Sequence, residues 1–301
     1  GMCFPFKVFP CCLWCNFYQI IKFYLKMNEV VKTGVIGFPV DHSVSPIIHN
    51  HWIDEYQVNT DSYKKIGIEP KLFEEEVLRL KESGALGLNV TVPLKELAFS
   101  FSEEQTEIAK QTGAVNTLTF KNGKVYGDNT DVIGFQRSLD QETVENNIAN
   151  KKCLVLGAGG AARAVVCALS NLNGEVFICN RTLEKALKIQ QNLRVQPEVI
   201  EQQNLGTVVG EISFIVNTTS LGLGNTENTM VDFTQVNPQV FVYDLIYNPK
   251  LTKFLSAAKE RNFGYQNGMK MLIEQAAESF KIWHNIHPKN SDELMNVLEE
   301  L

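Results

Sequence analysis

Two ionisable residues sit among amides and hydroxyls in this chain: Lys95 in "NVTVPLK" (89–95) and Asp131 in "GDNTD" (127–131). An ammonium and a carboxylate brought together can do acid–base work, one exchanging a proton while the other orients it. Burial disfavours an amine's charged form, which lets a partly desolvated lysine give and take a proton. Reducing a ketone with a nicotinamide cofactor needs such a proton on the new alkoxide, and the reverse reaction needs a base. Asn89, Thr91 and Asn116 add directional donors and acceptors, and Ser43 and Ser45 add hydroxyls. Such groups suit a small, heavily hydroxylated ligand, because a wrong ligand would leave them unpaired.

A second kind of chemistry belongs to "GAGGAARA" (157–164). Gly157, Gly159 and Ala162 match G-x-G-x-x-A, after the apolar strand "CLVL" and at the start of a helix, the context a dinucleotide site requires. Gly157 permits the tight turn, and Gly159 lets backbone approach a pyrophosphate. Gly160, Ala161 and Ala162 keep the helix close to its strand, with its first N–H groups facing the anion. An NAD site usually places an acid about 20 residues on, to accept from the ribose 2′-OH. Here the next strand ends in Cys179-Asn180-Arg181-Thr182, with no acid. A guanidinium binds a 2′-phosphate bidentately. Arg181, flanked by the Asn180 amide and Thr182 hydroxyl, argues for NADP; Thr182 also reads as the cap of the following helix.

These residues must be positioned by regular elements. Strands are expected at 33–37, 61–68 and 85–93, and helices at 45–57, with Ser45 as N-cap and Pro46 first, and at 69–83 and 103–111. A hairpin over 114–127 should turn at Asn122-Gly123. Pro93 lacks an N–H, so the strand before it ends there or lies at an edge. After a polar, helical linker over 132–150, a second run begins at Lys151, with strands at 175–181, 211–220 and 239–247. A long helix over about 269–285 follows Gly268 and could fold back on the first unit. The alternation argues for an α/β fold of two domains with largely parallel sheets. The polar clusters fall at strand ends, where ligands bind in open α/β sheets.

Composition is that of a soluble globular protein. The 301 residues are 44% hydrophobic and 21% charged, and the net charge of −6 with no basic stripe argues against a nucleic-acid partner. Residues 1–27 hold four of the seven cysteines and no acid, and read as an extension outside the catalytic fold, with Gly1-Met2 resembling a cloning scar. Cys12 and Cys15 form a C-x-x-C pair, but no second pair or nearby His completes a zinc site, so no metal is expected. Cys153, Cys167 and Cys179 sit singly in apolar runs and read as reduced buried thiols, which favours the cytoplasm.

Nine motifs together, in order, resemble the shikimate dehydrogenase family over about 33–290: "SVSP" (43–46), "NVTVPLK" (89–95), "GAVNT" (113–117), "GDNTD" (127–131), "GAGGAARA" (157–164), "NRT" (180–182), "NTTSLG" (217–222), "YDLIYNP" (243–249) and "GMKMLIEQA" (268–276). The resemblance implies NADP-dependent interconversion of 3-dehydroshikimate and shikimate. It implies a substrate domain (28–131, with 269–301 packing back) facing a Rossmann-type domain (132–268) across a cleft. Lys95 and Asp131 would be the catalytic pair. Ser43 and Ser45, helped by Tyr247, would bind the substrate carboxylate; Asn89, Thr91, Asn116 and Gln275 would bind its ring substituents. Gly157, Ala158, Gly159, Gly160 and Ala161 would take the pyrophosphate and Asn180, Arg181 and Thr182 the 2′-phosphate. Thr218, Ser220, Leu245 and Gly268 lie where the family contacts the cofactor. A monomer or homodimer is expected. The competing readings are a quinate-accepting relative, another oxidoreductase of this architecture such as a methylene-tetrahydrofolate or glutamyl-tRNA reductase relative, and a non-catalytic NADP-binding regulator. Both serines and the acid-free cofactor strand weigh against the first, and the intact Lys95 and Asp131 against the last.

Overall fold

The computed structural model describes residues 31–221, 230–289 and 292–300; the segment 1–27, with Cys12 and Cys15, lies outside them. Two six-stranded sheets carry helices on their faces. The first comprises β1 (Thr33–Gly37), β2 (Lys64–Gly67), β3 (Gly87–Val90), β4 (Glu104–Gln105), β5 (Thr117–Lys121) and β6 (Lys124–Asp128), in the order β2-β1-β3-β5-β6-β4. β2, β1 and β3 run parallel. β5 is antiparallel to both of its neighbours. Asn122 and Gly123 take φ of 53° and 77°, the left-handed pair that a two-residue hairpin needs, so the chain reverses at once instead of crossing over. The sheet is therefore mixed.

The second sheet comprises β7 (Lys152–Leu156), β8 (Glu175–Cys179), β9 (Glu198–Val199), β10 (Ile212–Asn217), β11 (Phe241–Asp244) and β12 (Gly264–Asn267), all parallel, in the order β12-β11-β10-β7-β8-β9. Its central strands are apolar on both faces, as a parallel sheet covered by helices must be. The strand order reverses between β7 and β10, which opens a crevice beyond their carboxyl ends.

The longer helices are α1 (Ser45–Glu55), α2 (Phe73–Glu82), α3 (Lys95–Phe101), α4 (Glu107–Thr112), α5 (Thr130–Ser138), α6 (Gly160–Asn171), α7 (Leu183–Asn192), α8 (Lys253–Glu260), α9 (Met269–His284) and α10 (Asp292–Glu299). α9 follows the second sheet in sequence but packs on the first. Its Ile273, Ala276, Ala277, Phe280 and Trp283 share a core with Val35, Ile48 and Trp52. Burying a large apolar side chain stabilises by roughly 1.5–3 kcal/mol, so this stripe anchors the helix firmly. Trp283 Nε1 also donates to the Leu118 carbonyl at 3.2 Å. On its other side α9 meets α5 at Gly134, where a Cβ would come within 2.8 Å of the Gln275 nitrogen.

Local departures from the sequence expectations have local causes. Val44, not Ser45, is the N-cap of α1, without a side-chain cap; Ser45 N–H instead donates to Ser43 Oγ at 3.3 Å. β2 starts at Lys64 because Asn50 Oδ1 accepts from Tyr63 N–H at 2.7 Å and takes that residue out of the ladder. The helix expected from 103 starts at Glu107, capped by Thr106, because Glu104–Gln105 pairs with β6.

Candidate active site

β3 ends at Val90, and the chain turns through Thr91, Val92 and Pro93 into α3, whose first residue is Lys95. β6 ends at Asp128, and Asn129 caps α5 by accepting from Asp131 N–H at 3.1 Å. These two turns bring Lys95 Nζ to 2.5 Å from Asp131 Oδ2. The side chains are 12% and 8% exposed, so the pair is largely withdrawn from water, and both residues line one cavity. Asn116 Nδ2 donates to the other Asp131 oxygen at 2.9 Å, which fixes the carboxylate plane.

That cavity, of about 360 Å³, is lined by Ser43, Ser45, Asn89, Thr91, Lys95 and Asn116 from the first sheet's strand ends. Asp131, Tyr247 and Gln275 line it too, as do Ala161, Leu245 and Gly268 from the second sheet's side. Tyr247 is hydrogen-bonded to the Val44 backbone between the two serines, and burial pushes its hydroxyl's pKa up. Gln275 is half-buried; its Oε1 accepts from Asn116 at 3.4 Å and its amide donates to the Leu272 carbonyl at 2.8 Å. Gly268 has no alternative: a Cβ there would run into the Leu245 carbonyl oxygen.

Asn89 faces the cavity with both ends of its amide engaged. Tyr63 Oη donates to its Oδ1 at 2.8 Å, and its Nδ2 donates to Ser279 Oγ at 2.9 Å and Thr117 Oγ1 at 3.2 Å. Thr130 joins the same buried network through Asn116 and Ser279. Tyr63, Thr117 and Ser279 were missed in the sequence, whereas Thr130 belongs to the polar strand-end cluster of "GDNTD". Ser279 lies four residues after Gln275 on one helix face, a spacing that could have flagged it; nothing local marks Tyr63.

The glycine turn opens the second half of the site. Gly157 takes φ of 110°, and a Cβ there would lie 2.6 Å from Thr218 Oγ1, so this turn needs glycine. Thr218 hydroxyl donates to the Leu156 carbonyl at 2.7 Å and so braces the turn from behind. Gly159 is the N-cap of α6 with no side-chain cap, and a Cβ on it would meet nothing within 4 Å. The start of α6 thus borders open space, and a helix N-terminus there fits a pyrophosphate.

Ala158, Gly159 and Gly160 line a second cavity of about 370 Å³, shared with Lys95 and with Arg163, Lys185 and Lys188. Lys185 and Lys188, one turn apart on α7, were also missed; their position just after "NRT" was the available signal. Asn180 and Arg181 line a third cavity of about 410 Å³. Among the described residues no carboxylate pairs with Arg181. Thr182 occupies the N-cap of α7 without a capping bond. Gly157, Thr182, Thr218 and exposed Ser220 line none of the three cavities. Among the described residues no cluster of three His, Cys, Asp or Glu could hold a metal, and no helix is long and apolar enough to cross a membrane.

Comparison with known proteins gives the same two halves. Residues 35–118 match the shikimate dehydrogenase substrate binding domain, and residues 138–250 match shikimate / quinate 5-dehydrogenase. The chain belongs to the shikimate dehydrogenase family. Shikimate dehydrogenase (NADP(+)) of Pelagibacter ubique is 37% identical over 88% of this chain and 97% of its own length. The crystal structure of shikimate dehydrogenase from Aquifex aeolicus superposes with a TM-score of 0.79 at 39% identity, covering 89% of this chain and 96% of that one. The enzyme of Thermus thermophilus, solved in complex with NADP(H) and shikimate, superposes with a TM-score of 0.78 at 28% identity, over 90% of this chain and 99% of the other. This family member thus shares its overall fold with these enzymes, one of them solved with its dinucleotide and shikimate bound.

Proposed function

We propose that this protein is an NADP-dependent shikimate dehydrogenase, catalysing the reversible reduction of 3-dehydroshikimate to shikimate in aromatic amino acid biosynthesis. The observation that carries this is the Lys95–Asp131 pair, 2.5 Å apart, in a cavity walled on one side by hydroxyls and amides and on the other by the end of the glycine-turn helix. We assign a substrate unit to 28–131 with 269–301, and a cofactor unit to 132–268. Ser43, Ser45 and Tyr247 hold the substrate carboxylate. Asn89, Thr91, Asn116 and Gln275 read its ring substituents, and the amides of Asn89, Asn116 and Gln275 are already oriented by neighbours and so pre-organised. The bound nicotinamide supplies the hydride. Lys95 Nζ delivers the proton to the oxygen of the reduced carbonyl and takes it back in reverse, and Asp131 holds that ammonium on target and accepts from the substrate hydroxyl. Ala161, Leu245 and Gly268 wall the nicotinamide end, Gly157, Ala158, Gly159 and Gly160 cradle the pyrophosphate, and Thr218 and Ser220 flank it. Asn180, Arg181 and Thr182 meet the 2′-phosphate, to which an unpaired guanidinium is suited. The protein acts on small molecules as a monomer or homodimer in the cytoplasm. The buried thiols of Cys153 and Cys167, pushed up to about 12 by burial, are inert and agree with a reducing compartment.

The test is the NADPH absorbance band on mixing the protein with 3-dehydroshikimate, with NADH and with quinate plus NADP⁺ in parallel. Rapid loss with NADPH, and little signal in the other two, is expected. No loss with NADPH overturns the assignment. Equal rates with NADH remove the role given to Arg181.

A further inference from the structure

Arg163 is a buried cation that the proposed reaction does not use. It lies on α6, one turn past Gly159 and Gly160, and is only 4% exposed. Its guanidinium leaves its own helix for the first sheet's unit. Nη1 donates to the Thr112 carbonyl at 3.3 Å and Nη2 to the Glu96 carboxylate at 3.4 Å, while Nε has no partner among the described residues. Both bonds are long for N–H···O, so this charge is held across the crevice with incomplete compensation. A group buried at such cost for packing alone would be better replaced by an apolar one.

Its two contacts are the two segments that carry the proton-transfer site. Glu96 is the chain neighbour of Lys95, in the first turn of α3. Thr112 leads through Gly113 and Ala114 to Val115, whose N–H donates to the Lys95 carbonyl at 2.9 Å, and then to Asn116. A Cβ on Gly160 would lie only 3.2 Å from Lys95 Cδ. Arg163 also lines the same cavity as Gly159, Gly160 and Lys95. One side chain therefore joins the turn that receives the cofactor to the helix start that presents Lys95.

We propose that Arg163 is a positioning residue that couples dinucleotide binding at the glycine turn to the placement of Lys95, by way of Glu96. This rests on the assignment of that turn to NADP(H). A ligand seated on the N-terminus of α6 fixes its first two turns, and Arg163 rides on them. A fixed guanidinium fixes Glu96, and with it the first turn of α3. The substrate then meets Lys95 already in place, so each ligand tightens the other by the same factor.

The non-reacting pair NADPH and shikimate tests this, because both are reduced. The dissociation constant of shikimate is measured by calorimetry with and without saturating NADPH, and the reverse. Wild-type protein should show coupling of about 5-fold or more. Glu96→Gln, at an exposed position, should leave each separate affinity within about two-fold yet cut the coupling several-fold; Arg163→Met should bring it towards one and Arg163→Lys should fall between. A merely structural role would lower the unfolding temperature and weaken both separate affinities while leaving their ratio intact. Full coupling in Glu96→Gln overturns the route whether or not Arg163→Met folds, and so does an absence of coupling in wild type. Absence of NADPH binding by wild type would instead overturn the cofactor assignment, and the inference with it.

Discussion

Replacing Lys95 by Met removes the ammonium while keeping most of the stem that lies along Gly160. Two separate effects follow. The first is kinetic: loss of a positioned proton donor costs 10²–10⁴-fold, about 3–5 kcal/mol of barrier. The second is on stability. The Asp131 side chain, only 8% exposed, is left without its cation. Stranding one partner of a buried pair costs about 3–5 kcal/mol. Here Asp131 keeps the Asn116 amide at 2.9 Å and faces a cavity wide enough for water, so the lower end, about 3 kcal/mol or less, is expected. Turnover of 3-dehydroshikimate with NADPH measures the first effect and urea unfolding the second. The double variant Lys95→Met/Asp131→Asn separates them, because removing the stranded charge should restore most of the stability and none of the rate. A fall in kcat below about ten-fold would refute the proton-transfer role. A double variant no more stable than Lys95→Met would refute the account of the pair's energetics.

Arg181→Ala tests the cofactor argument. Its exposed guanidinium places the lost charge-assisted bond at the low end, about 1.5 kcal/mol, so KM for NADPH should rise about 10-fold with KM for NADH unchanged; a parallel rise in both would remove the 2′-phosphate role. His49 makes the fold acid-sensitive. Buried, stacked on Tyr63 at 4.1 Å and with Nε2 unpartnered among the described residues, it is held far below its ordinary 6.5, at about 3, by desolvation, then by nearby His284, with the Asn89 side chain opposing. Its folded-state pKa is depressed, so the stability it permits is complete above pH 6.5 and is lost as pH falls from there towards 3. At pH 5 the loss is about 2 kcal/mol, and His49→Phe should flatten the decline in unfolding free energy between pH 7 and 5 by that amount. An unchanged slope would mean that another group carries the acid sensitivity.

What could be read from the chain was what is encoded locally. Asn122-Gly123 must turn, the glycines after "CLVL" must bend and open a helix, and Arg181 must stand where a Rossmann acid otherwise would; each follows from a handful of consecutive residues. The α/β class and the polar strand ends were legible for the same reason. Helix starts were less so, because Ser43, Ser45 and Pro46 offer rival solutions, and the hydrogen bond from Ser45 N–H to Ser43 Oγ decides among them only in three dimensions.

The orientation of the site is encoded far along the chain and was not legible. Asn89 is set by Tyr63, Thr117 and Ser279, the last 190 residues away on a helix that reaches the first sheet only after the whole second sheet has been built. The sequence pattern marked Asn89 as polar at a strand end, but which of its atoms face the cavity depends on where α9 docks. That docking is apolar: Phe280 and Trp283 hold the helix down, and with it Gln275 is carried to the cavity and Ser279 to the buried network that orients Asn89. These polar groups are thus placed by a hydrophobic contact outside the cavity. By the same logic Arg163, an unremarkable helix residue in the sequence, acquires its meaning only when the crevice brings Glu96 and Thr112 to it.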